Sequence, residues 1–198
     1  IVLTGEEVEA YEFDSVVDLK GILKPLLKVL QWDEECQVYG SEFLLFAIRC
    51  TKAVVQYSPL CSKRLVDSRV FLPLLIKQLD SVEYIDLAED LIQIFLLLSA
   101  RNKEMALECL KAQGIRAVLG FVDFLALNVQ IPAFTAAAQM AATLNDPSFI
   151  SPQIIGSLQN VLRMSADSKA LTQAALKTIS NIVRAAPSLS NELLPLEF

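Results

Sequence analysis

The residues that could do chemistry in this sequence are acids gathered around the start of one predicted helix. Asp86 and Asp90 are four residues apart, so a helix would carry them on one face, as paired catalytic acids require. The helix is predicted over 84–100, and negative charge at its start complements the helix dipole and faces water. We therefore interpret the cluster as a solvated helix end, with binding of a basic patch as the functional alternative. Its members are Asp80, Glu83, Asp86, Glu89 and Asp90.

The sequence lacks the residues that other kinds of catalytic site and cofactor site need. The sequence has no histidine, which removes Ser-His-Asp and Cys-His arrangements and His-based zinc sites. Its six glycines form no phosphate-binding loop. Four irregularly spaced cysteines without a Cys-x-x-Cys pair indicate plain thiols in a reducing intracellular compartment, cytoplasmic or nuclear. They are Cys36, Cys50, Cys61 and Cys109. We predict no catalytic residue, no metal and no cofactor in this chain.

Charge is unevenly distributed along the chain. Residues 1–18 hold six acids and no base, while the remaining residues hold 17 acids and 17 bases. A neutral body without a cluster of cations is a poor nucleic-acid binder. The most apolar stretches, 91–98 and 118–127, are too short to span a membrane. We interpret the acidic leader as a solvated tail or linker, with contact to a basic surface as the alternative, and the lysines at 20, 24 and 28 as a solvated helix face.

Helical patterns come in pairs, a short one followed by a long one, and they repeat. An offset of 45 residues aligns Leu74 with Leu119 and Phe95 with Met140, and an offset near 39 aligns the latter with Ile179. This period is that of armadillo or HEAT repeats. The pattern at 102–112, which ends before Gly114, indicates the extra short first helix of an armadillo unit.

The predicted fold is therefore an all-α, right-handed solenoid of about four armadillo/HEAT-like repeats. We expect an acidic leader or linker at 1–18 and one repeat domain at 19–198. Its units span about 19–57, 60–100, 102–145 and 147–186, followed by a C-terminal stub. Such repeats present the last helix of each unit along one concave surface, where partners bind.

The candidate binding residues are the polar positions opposite the apolar stripe of these last helices. In the 84–100 helix that stripe contains Ala88, Leu91 and Phe95, and the repeat offsets carry the opposite positions into the later units. The predicted protein-binding groove comprises Glu42, Arg49 and Lys52, then Asp86, Glu89, Asp90 and Gln93, then Thr135 with Ala138 and Ala142, then Lys177 and Asn181. For Asn181 a structural role in capping or surface hydrogen bonding is an equal alternative.

Two segments carry a resemblance to a known family. LPLLIKQLDSVEYIDLAEDLIQIFLLLS from Leu72 and GIRAVLGFVDFLALNVQIPAFTAAAQMAA from Gly114 resemble the N-terminal armadillo region of HECT-type E3 ubiquitin ligases of the ubiquitin-fusion-degradation class. The resemblance covers 70–142 and extends more weakly to 186. It implies a region that recognises protein substrates or ubiquitin and holds them toward a C-terminal HECT domain. Its partners would be those proteins and the remainder of the parent chain, with no nucleic acid and no membrane.

A second hypothesis is a structural adaptor of the trafficking or cytoskeletal kind, with the same fold and no link to ubiquitin. Both hypotheses give the chain the role of a protein-binding scaffold rather than that of an enzyme. A HECT sequence downstream in the same gene would separate them.

Overall fold

Apolar residues recur at helical spacing through most of the sequence, and the described chain is helical accordingly. A computed structural model describes residues 21–31, 40–82, 84–120, 122–164 and 168–193. The acidic leader and the predicted features at Lys20, Cys36, Glu83 and Phe121 lie outside these ranges. The helices are α1 Leu23–Leu30, α2 Gly40–Tyr57, α3 Pro59–Asp67, α4 Phe71–Asp80, α5 Ile85–Arg101, α6 Lys103–Lys111, α7 Gly114–Leu119, α8 Leu127–Ala141, α9 Pro152–Met164, α10 Lys169–Ala185 and α11 Ser190–Leu193.

Two short helices, α3 and α6, begin and end with the same local chemistry. The Ser58 hydroxyl accepts from the Cys61 N–H at 2.8 Å, and the Asn102 side chain accepts from the Met105 N–H at 2.8 Å. Ser58 and Asn102 are 44 residues apart. Each short helix leads into the next through a residue with a left-handed backbone, φ 58° at one and 69° at the other. These residues are Arg69 and Gln113, again 44 apart.

The short first helix that we predicted at 102–112 is confirmed as α6. Its counterpart α3 was not predicted, although residues 60, 61, 65 and 66 are apolar and the helix begins with the Ser58 cap and with Pro59 at its first position. The helical pattern of apolar residues at 115–125 does not form one helix. α7 ends at Leu119, and a separate 3-10 turn follows at Val122–Phe124.

The Gln130 side chain holds that 3-10 turn in place. Its Nε2 donates to the carbonyl of Val122 at 3.1 Å and to that of Leu125 at 2.8 Å. The Val122 carbonyl also accepts from the Leu125 N–H at 3.1 Å, so the Gln130 amide adds a side-chain link from α8 to a turn that is already closed by a backbone hydrogen bond.

The chain divides into two compact units, Ile1–Ile94 and Phe95–Phe198, with the boundary inside α5. In the first unit, α1 packs on α2 and α4, and α3 packs on both α2 and α4. Its core is made of aliphatic side chains and one phenylalanine, including Leu30, Ile48, Val55, Leu65, Phe71, Leu75, Leu79 and Leu91. The buried Gln78 side chain donates to the Leu30 carbonyl at 3.1 Å and thereby satisfies the end of α1.

The second unit is organised around α8, which packs against α6, α7 and α10. Alanines let the backbones of these helices approach closely, since Ala133, Ala136 and Ala137 in α8 and Ala175 in α10 have no exposed surface. Larger side chains fill the remaining core, among them Phe95, Leu98, Phe134, Met140, Leu158 and Ile182. None of the helices in the described ranges has the length and apolar character needed to cross a bilayer.

Candidate protein-binding surfaces

In the first unit, three of the predicted groove residues meet in one ion cluster. Arg49 Nε donates to Asp90 Oδ2 at 3.1 Å, and Lys52 Nζ donates to Asp90 Oδ1. Arg49 and Lys52 are three residues apart on α2, so one face of that helix presents both cations to a single carboxylate on α5. The cluster joins two of the helices that the sequence predicted to line a binding surface.

The interpretation of Asp90 as a water-facing charge was wrong. Its side chain is only 8% exposed, while those of Arg49 and Lys52 are 49% and 32% exposed. A carboxylate loses its hydration on burial, and it remains ionised there only when cations or hydrogen-bond donors replace the water. Asp90 is therefore a structural anchor, and the cations beside it are the parts of the cluster that a partner can reach.

The other predicted groove residues of the first unit lie around this cluster with different exposure. Glu42, in the first turn of α2, and Asp86, in the first turn of α5, are exposed. Glu89 and Gln93 are half-buried. The exposed surface thus offers acids at the two helix starts and cations about two to three turns further along α2.

In the second unit, the predicted groove residues differ in role, and Asn181 and Ala138 are the pair that joins α10 to α8. Asn181 Nδ2 donates to the Ala138 carbonyl at 2.8 Å. The side chain of Asn181 therefore has the structural hydrogen-bonding role that the sequence offered as the alternative to partner binding. Ala138 itself is buried, contrary to its predicted place on the exposed stripe, because α10 packs over it. The Thr135 hydroxyl donates to the Ile131 carbonyl of its own helix at 2.7 Å. Lys177 is exposed, as predicted, and so is Ala142.

Two further polar contacts within the second unit were absent from our sequence prediction. The Ser99 hydroxyl donates to Gln139 Oε1 at 2.7 Å, and the buried Thr178 hydroxyl lies 3.1 Å from the Phe134 carbonyl. Gln139 is half-buried on α8, four residues after Thr135, so it belongs to the same helix face. The helical spacing from Thr135 was the signal that would have identified it.

Two titrating groups in the described part of the chain have shifted pKa values. Burial raises the pKa of the Cys109 thiol to about 12, and the neighbouring Glu108 carboxylate adds to the rise. The pKa of Asp146 is lowered because its carboxylate accepts from the Ser148 N–H at 2.9 Å in the turn before α9. Among the residues that the structure describes, no group of three or more Cys, Asp or Glu side chains is placed to hold a metal ion.

The fold class is that of an all-α solenoid of armadillo type. An engineered protein matches 92% of this chain, and the match covers 72% of that protein, with a TM-score of 0.71 and 18% identity. A designed armadillo repeat protein matches 86% of this chain and 68% of its own length, with a TM-score of 0.66 and 18% identity. The fold class predicted from the sequence is confirmed.

Relatives in sequence are proteins of the ubiquitin pathway. The chain is similar to the E3 ubiquitin-protein ligase UPL3 of Arabidopsis thaliana, with 35% identity over 103 residues, 52% of this chain and 5% of that protein. A probable ubiquitin fusion degradation protein of Schizosaccharomyces pombe is 25% identical over 156 residues, 77% of this chain and 9% of its own length. The E3 ubiquitin-protein ligase UPL4 of Arabidopsis thaliana is 28% identical over 130 residues, 66% and 8% respectively.

The resemblance predicted from the sequence, to ubiquitin ligases of the ubiquitin-fusion-degradation class, is confirmed by these relatives. The chain spans less than a tenth of the length of each of them. No family model matches the chain.

Proposed function

We propose that this chain is a protein-recognition region of a ubiquitin ligase, which binds a substrate protein or ubiquitin itself. In this proposal it contributes no catalytic residue. It holds the bound protein for a HECT-type catalytic domain elsewhere in a longer chain, inside the cell, in the cytoplasm or the nucleus. The observation that carries the proposal is the similarity of half or more of the chain to three proteins of the ubiquitin pathway.

The armadillo-type fold supports the scaffold part of the proposal. Stacked repeats of this type form extended surfaces from the last helix of each unit, and we propose that α2, α5, α8 and α10 are those helices. The predicted repeat boundaries belong to the same proposal. Among the predicted groove residues on these helices, the accessible charges are Glu42, Arg49, Asp86 and the half-buried Lys52 in the first unit and Lys177 in the second.

Asp90 and Asn181 support such a surface without contacting a partner. The cluster around Asp90 joins α2 to α5 within the first unit, and the Asn181 bond joins α10 to α8 within the second. A surface built on cross-linked helices loses little conformational entropy when a partner binds, which favours affinity.

The test separates recognition from catalysis in the full-length ligase. Glu42→Lys and Asp86→Lys together reverse two exposed charges on the proposed surface. Asp67→Lys and Glu104→Lys impose the same charge change on the short helices α3 and α6. We expect the first pair to lower substrate modification at limiting substrate by about fivefold or more, because interface charges control both encounter and pairing. Loading of the catalytic cysteine with ubiquitin should stay unchanged.

Equal effects of the two pairs, or no effect of either, would contradict the proposal. A full-length protein that loads no ubiquitin onto a cysteine would instead favour the structural adaptor.

A further inference from the structure

Helix α10 is the longest helix in the described ranges that has basic residues and no acidic residue. Its sequence, KALTQAALKTISNIVRA, has three basic residues and no acidic residue. The preceding helix α9 likewise has no acid and contains Arg163. From 147 to 191 the sequence has four bases and a single acid, Asp167, which lies outside the described ranges. This part of the second unit is therefore positive in a protein whose net charge is −6.

The cations of α10 lie on its exposed side. Positions 169, 173, 176, 177, 180 and 184 are all exposed, and helical spacing places them on one face. We call this surface, made of Lys169, Gln173, Leu176, Lys177, Ser180 and Arg184, the α10 outer face. It extends for about 22 Å along the helix axis at 1.5 Å per residue. None of its three cations forms an ion pair with a residue that the structure describes.

The composition of the α10 outer face argues against burial under another layer of the same core. The opposite face of the helix is the one that packs, through Leu171, Ala175, Thr178, Ile179 and Ile182. The outer face offers a single large apolar side chain, Leu176, which is 50% exposed. An apolar layer over these three cations would remove their hydration and would provide no hydrogen-bond acceptor or negative charge in its place. A partner that supplies carboxylates would replace that hydration.

We propose that the α10 outer face binds an acidic polypeptide segment that carries apolar residues among its carboxylates. The carboxylates pair with Lys169, Lys177 and Arg184, and an apolar side chain of the segment packs on Leu176. This inference rests on the proposed protein-binding function and deepens it, because it assigns a chemistry to the partner of the surface that includes Lys177.

A polypeptide fits this face better than a nucleic acid. Phosphate backbones need a dense field of cations, whereas here three cations are spread over four turns in a protein of net charge −6. The face also lacks an aromatic side chain on which a base would stack, and a leucine occupies its centre. Residues 1–18 of this chain have the composition that such a partner segment needs. They contain six acids and no base, with interspersed valine, tyrosine and phenylalanine.

The probe is a fluorescent synthetic peptide with the sequence of residues 1–18, titrated with the whole chain and followed by fluorescence anisotropy. The control peptide has its six acids replaced by glutamine or asparagine. The test variant is Lys177→Gln with Arg184→Gln. Its matched control is Lys103→Gln with Lys111→Gln, which removes the same charge from exposed positions of α6.

We expect the acidic peptide to bind, the control peptide not to bind, and affinity to fall as salt is added. The α10 variant should weaken binding by about two- to thirtyfold, since it removes two exposed ion pairs that contribute about 0.2 to 1 kcal/mol each. The α6 variant should bind as the unaltered chain does. Leu176→Ala should also weaken binding of the acidic peptide. The factor should be larger at high salt than at low salt, because the apolar contact then contributes more of the affinity.

The inference is overturned if the acidic peptide does not bind, or if the two double variants weaken it equally. It is also overturned if single-stranded DNA or phosphatidylserine vesicles bind more tightly than the peptide and lose that binding in the α10 variant. The assay uses no ligase activity, so its failure leaves the proposed function standing. Conversely, peptide binding without any effect on ubiquitin transfer would retain the docking face and remove the ligase role.

Discussion

Replacing Asp90 by Asn removes the charge that Arg49 and Lys52 share but keeps a side chain of nearly the same shape. The two cations are 49% and 32% exposed, so water can hydrate them once the carboxylate is gone. What is lost is therefore the charge-assisted hydrogen bonding, and we expect the free energy of unfolding to fall by about 1 to 2 kcal/mol.

The reverse perturbation should cost more. Arg49→Gln combined with Lys52→Met leaves the Asp90 carboxylate without either cation. Because its side chain is only 8% exposed, water hydrates this carboxylate less well than it would hydrate the two cations. We expect a loss of about 2 to 4 kcal/mol, because an unpaired buried charge costs more than an unpaired exposed one. The order of the two losses follows from the exposed fractions alone.

Urea unfolding followed by far-ultraviolet circular dichroism measures both losses by linear extrapolation. Lys63→Met is the control, because Lys63 and Asp67 form an exposed pair at 3.7 Å and their separation should change stability by less than about 0.5 kcal/mol. If Asp90→Asn proves more costly than the double cation variant, the reasoning from burial is refuted.

Three further outcomes follow from contacts elsewhere in the chain. Gly114→Ala should destabilise the protein by about 1 to 3 kcal/mol, because the added Cβ would lie 2.6 Å from the Cys109 carbonyl oxygen. Gly156→Ala should stabilise it by up to about 1 kcal/mol, since no atom lies within 4 Å of the added Cβ. Thermal unfolding of the two variants compares these effects. With a pKa raised to about 12, Cys109 should have only about one thiolate in ten thousand at pH 8, so peptide mapping after brief alkylation should find Cys50 modified and Cys109 intact. Asn181→Ala should cost about 1 kcal/mol in urea unfolding through its lost bond to α8, and an unchanged midpoint would contradict that role.

The long helices of this protein could be predicted from local pattern. Apolar spacing located α5 closely, since the helix predicted over 84–100 spans Ile85–Arg101, and the offset of 39 residues relates the buried Ala136 to the buried Ala175. Helix α3 was missed although it has the same length, nine residues, as the predicted α6. The Ser58-Pro59 pair was the local signal that marked its start.

The candidate site was less predictable, because its decisive contacts join residues distant in sequence. Asp90 pairs with Arg49 across 41 residues, and Asn181 reaches the Ala138 carbonyl across 43. Helical spacing placed these residues on polar faces but could not show that a partner helix covers them. The polar stripe therefore contained both exposed residues, such as Lys177, and buried structural residues, such as Asp90.

The central claim, that this chain recognises a protein for a ubiquitin ligase, is tested most directly in the intact ligase by deleting the whole repeat region. Two quantities are measured side by side, the loading of the catalytic cysteine with ubiquitin and the modification of the substrate protein. We predict that loading persists at its normal level while substrate modification is lost. Substrate modification that survives the deletion would contradict the claim.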